Sequence, residues 1–170
     1  MGICPAMGQT LPVDYDFVII GGGSAGYAAA RTAAGLGLQT AVIEGGRDAG
    51  GLCILRGCMP SKTLIESANR YLAMQHAAEF GLHASGTSFD GAAIIARKRR
   101  LVGEFAAYRR EQLESGKFDF VRGRAAFTGP FSVDVQRPDG GTQTIRARSF
   151  LIASGSRIAA PPVPGLAEAG

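Results

Sequence analysis

The sequence predicts an α/β fold, a parallel sheet carrying a small antiparallel β-meander. Three observations carry this expectation. Two short apolar runs flank an alanine-rich segment in strand–helix–strand order. Two longer stretches with helical spacing fill the middle of the chain. Beyond residue 117 the pattern shifts to short runs broken by Gly, Pro and Asp.

Asp16-Phe17-Val18-Ile19-Ile20 reads as a buried parallel strand, because such a strand is covered on both faces and is nearly all apolar. It meets Gly21-Gly22-Gly23-Ser24-Ala25-Gly26. Tyr27 to Ala34 is then helical, stopped by Gly35 and Gly37. Thr40-Ala41-Val42-Ile43 is a second strand ending at Glu44, and a helix between parallel strands implies a right-handed crossover. Gly45 to Gly51 is a glycine-rich loop. Pro60 suits a first helical turn, and Ser61 to Met74 follows as a helix. Phe89 to Glu114 is a second long helix, closed by Ser115-Gly116. Phe118 to Arg122, Ala125 to Thr128 and Phe131 to Gln136 read as short strands. Pro138-Asp139-Gly140-Gly141 is a hairpin turn, with Thr144 to Ala147 returning. Ser149 to Ala153 is a further strand leading into Ser154-Gly155. Pro161-Pro162-Val163-Pro164-Gly165 reads as a linker leaving the domain.

The 170 residues suffice for one domain with a real core, and 46% hydrophobic against 19% charged residues points to a globular chain. No apolar run approaches the roughly 18 residues of a membrane helix. Met1 to Val13 lacks the basic-then-apolar order of a secretory signal, and Ala6 stands where a myristoylation motif needs Ser or Thr. The expectation is a cytoplasmic protein without a membrane partner. Net charge is +4. The run Arg97-Lys98-Arg99-Arg100 sits among Ile94, Ile95, Leu101, Val102 and Phe105 at helical spacing, so it reads as the solvated face of a helix. No aromatic platform accompanies it, and no nucleic-acid partner is expected.

Gly21-x-Gly23-x-x-Gly26 follows a strand and opens a helix. Gly21 permits the tight turn, Gly23 lets a pyrophosphate approach the backbone, and Gly26 lets helix and strand pack closely. The helix N-terminus then offers free N–H groups and a favourable dipole to phosphate. Glu44, 18 residues after Gly26, closes the second strand where a carboxylate can accept from ribose hydroxyls. This is a Rossmann-type dinucleotide signature, and by itself it does not separate FAD from NAD.

Three cysteines are present. Cys4 lies in the N-terminal tail. Cys53 and Cys58 are spaced i, i+5, over which a regular helix rises about 7.5 Å, more than a disulfide tolerates. A bridge therefore requires an unwound segment, for which Gly57 supplies the freedom. Zinc needs about four ligands, and His76 and His83 bring no second close pair. Two unrelated buried thiols are the remaining alternative.

The segment Gly50-Gly51-Leu52-Cys53-Ile54-Leu55-Arg56-Gly57-Cys58-Met59-Pro60-Ser61-Lys62 resembles the active-site stretch of the class I pyridine nucleotide–disulfide oxidoreductases. That family includes dihydrolipoamide dehydrogenase, glutathione reductase and mercuric reductase, and its pattern is Gly-Gly-Thr-Cys-x-Asn-x-Gly-Cys-x-Pro-Ser-Lys. The glycine loop, Glu44, Gly123-Arg124-Ala125-Ala126-Phe127 and Ala153-Ser154-Gly155 fall in family order, so the resemblance runs from Tyr15 to Gly165.

The resemblance implies FAD as cofactor and a catalytic pair, Cys53 and Cys58. Cys53 is the thiol that exchanges with substrate. Cys58 lies beside the flavin and makes a charge-transfer contact as a thiolate. Lys62, one helical turn later, lies near the flavin, and both it and the helix start lower a thiol pKa. The resemblance implies that the cofactor is held by Gly21, Gly23, Ser24, Ala25, Gly26, Glu44, Gly45, Gly51, Leu52, Cys53, Lys62, Arg124, Ala125, Ala153, Ser154 and Gly155. No metal ligand is implied. Leu52 stands for the usual Thr, Leu55 for the usual Asn, Ser154 for Thr, and Arg56 adds a charge between the cysteines. These departures argue for a divergent member.

Residues 1–13 are expected as a tail, 14–160 as the FAD-binding domain with its redox pair, and 161–170 as the start of a linker to an NAD(P)-binding domain. The family continues with that domain, a further FAD-domain segment and a dimer-interface domain. No second glycine fingerprint and no His-Pro pair occurs here. The first reading is thus an N-terminal part of an FAD-dependent disulfide or metal-ion oxidoreductase. The parent passes electrons between NAD(P)H, FAD and the cysteines, acts on a small-molecule or protein disulfide, and is a homodimer. On that reading this chain alone shows little NAD(P)H-dependent turnover. The second reading is a stand-alone FAD-binding or thiol-redox module. A plain NAD-binding domain with idle cysteines is the remote third.

Overall fold

The computed structural model describes residues 12–157, 159–166 and 168. Cys4 and the expected tail up to residue 11 lie outside the described residues. The elements are β1 (Tyr15–Ile20), α1 (Ser24–Gly35), β2 (Thr40–Glu44), α2 (Gly51–Arg56) and α3 (Cys58–Gln75). A short 3-10 turn, Ala77–Phe80, follows, then α4 (Gly91–Leu113), β3 (Asp119–Arg122), β4 (Arg124–Gly129), β5 (Ser132–Gln136) and β6 (Thr142–Ile152). The strands form one six-stranded sheet in the order β3-β2-β1-β6-β5-β4. β3, β2, β1 and β6 run parallel, while β6, β5 and β4 form the antiparallel meander. This is the Rossmann-like sheet with a small antiparallel portion that the sequence predicts.

The near-continuous hydrophobicity of β1 and β2 is explained by two cores on opposite faces. Successive side chains of a strand point to opposite sides. Val18, Ala41 and Ile43 pack against Val133, Val135, Ile145 and Ala147 of the meander. Ile19 and Val42 pack against Ala30 of α1 and Leu113 at the end of α4. Burying each of these branched side chains contributes roughly 1.5–3 kcal/mol.

β6 corrects one expectation. The sequence predicts two strands, Thr144 to Ala147 and Ser149 to Ala153, but the chain runs through as one strand of 11 residues. Residues 142–146 pair with β5, and residues 147–152 pair with β1. No Gly or Pro stands between the two halves. Arg148 stays extended with its Nε 3.3 Å from the Asp16 carboxylate, so the polar residue that looks like a break faces solvent.

The helices differ at their starts. α1 begins inside the glycine loop at Ser24 rather than at Tyr27. α2 takes the place of the end of the expected loop, and α3 begins at Cys58 rather than Ser61. α4 opens one residue after Asp90, whose carboxylate accepts from the Ala93 N–H at 3.0 Å. That capping bond explains why the helix does not start at Phe89. Among the described residues no helix is long and apolar enough to cross a membrane.

Candidate active site

The glycine loop lies at the C-terminal end of β1, where open α/β sheets bind ligands. The Gly21 N–H donates to the Ile43 carbonyl at 2.8 Å, locking the loop against β2. A Cβ on Gly26 would collide with the Gly21 carbonyl and press on Ile19, so only glycine lets α1 sit this close to β1. The first turn of α1 has no side-chain cap and no acidic residue. Its N–H groups therefore stay open for an anion.

Glu44 ties this loop to the next. One carboxylate oxygen accepts from the Gly22 N–H at 2.8 Å and the other from the Gly46 N–H at 2.6 Å. Each oxygen keeps a second lone pair, so the carboxylate is both a brace and an available acceptor. The adjoining loop is further held by Arg122, whose Nη2 donates to the Gly46 and Arg47 carbonyls at 2.6 and 2.8 Å.

These elements surround a cleft of about 760 Å³. Gly21, Gly23, Ser24 and Ala25 line one wall. Glu44, Gly45, Arg124 and Ala125 line another. Gly51, Leu52 and Cys53 close one end, and Ala153, Ser154 and Gly155 the other side. Gly26 and Lys62 do not line it, nor does Cys58. Gly26 acts beneath the cleft by permitting the close helix–strand packing. The size falls in the range of small-molecule sites. An uncapped helix start, glycines that leave the backbone bare and a carboxylate at the end of β2 fit a dinucleotide such as FAD.

Gly51 brings the cysteine segment to this cradle. Its φ is +66°, and a Cβ there would lie 2.8 Å from the Gly23 Cα, so the start of α2 touches the start of α1. The helix then breaks at Gly57, with φ −125° and ψ −108°, before α3 begins. This is the unwinding that the i, i+5 spacing requires. Ser61 re-anchors the new helix by donating its hydroxyl to the Gly57 carbonyl at 2.9 Å. Cys53 and Cys58 are both free thiols, Cys53 half-buried and Cys58 exposed.

The Cys58 thiol is pushed up from its ordinary pKa, first by its hydrogen bond with Cys53, then by negative charge on Cys53 and by slight desolvation. Its own backbone and Lys62 pull the other way and lose. Lys62 acts in the expected lowering direction, but its effect is smaller than that of the neighbouring thiol. Cys53, expected both to exchange with substrate and to touch the cofactor, lines the cleft, whereas Cys58, assigned to the flavin side, does not.

Gly46, Ser156 and Arg157 also line the cleft and escaped the sequence reading. Arg157 had a signal, a cation two residues beyond the turn glycine Gly155 at the end of a strand. His76 pairs with Glu79 at 2.8 Å on the surface. Among the described residues no three His, Cys, Asp or Glu converge as a metal site would need.

Residues 15–170 match the family described as pyridine nucleotide-disulphide oxidoreductase. A glutathione reductase of Burkholderia cepacia is 36% identical over 152 residues, covering 89% of this chain and 32% of the relative. A dihydrolipoyl dehydrogenase of Chlamydia muridarum is 40% identical over 151 residues, covering 88% and 32%. The solved structure of the HOCl-induced flavoprotein disulfide reductase RclA from Escherichia coli, as its Cu(II) complex, superposes with a TM-score of 0.71 at 31% identity. It covers 90% of this chain and 31% of that one. The chain thus spans about a third of the length of these relatives.

Proposed function

Because the chain belongs to the pyridine nucleotide-disulphide oxidoreductase family, we propose that it forms the FAD-binding, dithiol-bearing part of a disulfide oxidoreductase. The observation that carries this reading is that one cleft joins the glycine cradle of α1, the Glu44 carboxylate and Cys53. Residues 14–160 are the FAD-binding domain. The α1 N–H groups and the backbone at Gly21, Gly23 and Gly51 receive the pyrophosphate, and Glu44 with Gly45 the adenosine ribose. Bound FAD supplies a two-electron carrier between NAD(P)H and the cysteine pair.

The chain's own chemistry is thiol–disulfide exchange. The Cys53 thiolate attacks one sulfur of a substrate disulfide, forming a mixed disulfide and releasing one substrate thiolate, which takes up a proton. The Cys58 thiol loses its proton and attacks the Cys53 sulfur. A Cys53–Cys58 bond forms, and the second substrate thiol leaves. The pair is oxidised by two electrons and the substrate disulfide reduced to two thiols. A pair whose second thiol holds its proton until the first has reacted suits this order. Run backwards, the same steps oxidise a dithiol. Lipoamide, glutathione and other disulfides share this chemistry, and the full-length protein works as a homodimer in the cytoplasm.

The test uses pre-reduced protein in a Cys4→Ser background and an aromatic disulfide that releases a coloured thiolate. Cys58→Ser forms a stable mixed disulfide at Cys53, and Cys53→Ser reacts at least several-fold more slowly. Equal trapping in both variants, or faster reaction at Cys58, overturns the assigned roles.

A further inference from the structure

A second cavity, about 850 Å³, lies apart from the dinucleotide cleft, between the loop after β2, the α2–α3 junction and one face of α4. Six cations line it: Arg47, Arg56, Lys98, Arg99, Arg110 and Arg122. Only two carboxylates, Asp48 and Glu114, face them. Among the described residues none of the six forms an ion pair. Arg122 spends its guanidinium on two carbonyls of the loop, which orient it without neutralising it.

The run Arg97–Arg100 is divided by this groove. Arg97 turns away to donate to the Thr63 carbonyl at 3.2 Å, and Arg100 pairs with Glu104 at 2.7 Å. Lys98 and Arg99 face the cavity together with Arg110, from the next turns of the same helix. The expected solvated face is thus one wall of a concave site. The floor is Leu55, Pro60, Val102 and Ala106. No aromatic side chain lines the groove, so it has no stacking surface for a base.

Cations gathered from four separate elements repel one another across a shared, partly enclosed space, and a multiply charged anion relieves that repulsion. Guanidinium forks match phosphate oxygens in geometry. We propose that this groove binds a compact phosphate-type polyanion carrying several charges, at a site distinct from the dinucleotide cleft.

Calorimetric titration of the full chain with inorganic tripolyphosphate, at fixed ionic strength, tests this. Saturable one-to-one binding is expected, with monophosphate at least about tenfold weaker. Arg99→Ala/Arg110→Ala, both exposed in the native protein, weakens binding about tenfold or more, a change of roughly 1.4 kcal/mol. The charge-matched pair Lys117→Ala/Arg146→Ala, away from the groove, leaves it within about twofold, and thermal melts verify that both variants fold. The proposal is overturned by absent saturation or by equal affinity for monophosphate. It is overturned equally if the groove variant keeps full affinity, as binding in the dinucleotide cleft predicts, or if the control pair weakens binding as much.

Discussion

β2 and α3 bracket the segment of residues 45–57, which carries Cys53, and are built on opposite terms. β2 buries four of its five residues, packed on both faces of the sheet. α3 buries none of its 18 and leaves Leu64, Leu72 and Met74 open to solvent. Its described polar ties to the rest of the fold include Arg97 on the Thr63 carbonyl. The cradle therefore rests on a rigid core, while the helix that carries Cys58 rests on its partner α4 and on the break at Gly57. Position of the dinucleotide loop is over-determined by packing, and position of the second thiol is not.

The largest effect expected from this contrast is on stability. Ile43→Ala removes a side chain that is 1% exposed and costs about 2–5 kcal/mol. Leu72→Ala, at a position 53% exposed, stays within about 0.5 kcal/mol. Urea unfolding monitored by circular dichroism measures both. Comparable costs at the two sites break the comparison and show that α3 is held by a core of its own.

A smaller effect concerns protons. Because the Cys58 pKa is raised, its thiolate fraction is low at neutral pH and grows only in the alkaline range above ordinary thiols. Alkylation of Cys58 in Cys53-bearing protein is therefore slow at pH 7 and accelerates with pH. Replacing Cys53 by Ala removes the hydrogen bond and the charge that raise it, and shifts the profile to lower pH. Lys62→Ala shifts it to higher pH, because Lys62 is a lowering influence. Mass-spectrometric alkylation rates across pH read both shifts, and a profile that ignores Cys53 contradicts the coupling.

The strongly buried strands were the parts legible in the sequence. Val18-Ile19-Ile20 and Ala41-Val42-Ile43 advertise burial on both faces, and the glycine fingerprint between them has few other uses. β6 looks like two strands in the sequence because Arg148 and Ser149 interrupt its apolar pattern. Strand continuity depends on backbone pairing with β5 and β1, which side-chain polarity does not report. α2 was hidden by Gly50 and Gly51, which read as loop. Gly51 is glycine because of its positive φ and its contact with Gly23, not because the chain stays irregular there. The spacing after the glycine loop singles out Glu44, proposed here for the ribose, but its bracing of Gly22 and Gly46 depends on how two loops fold together. The charge run forms the largely exposed helix face that its spacing predicts, but a helical pattern alone does not show that Arg47, Arg56 and Arg122 arrive opposite it.

The measurement that bears most directly on the account is the absorption spectrum of the purified chain with FAD, after removal of unbound flavin, before and after dithiothreitol. The account predicts a bound-flavin spectrum at one equivalent that, on reduction of the cysteine pair, gains a long-wavelength charge-transfer band growing as pH rises into the alkaline range where Cys58 ionises, and that the band is lost in Cys58→Ser. Retention of no flavin contradicts the assignment of the cleft as an FAD cradle. Bound flavin whose spectrum is indifferent to both cysteines contradicts the link between cradle and dithiol.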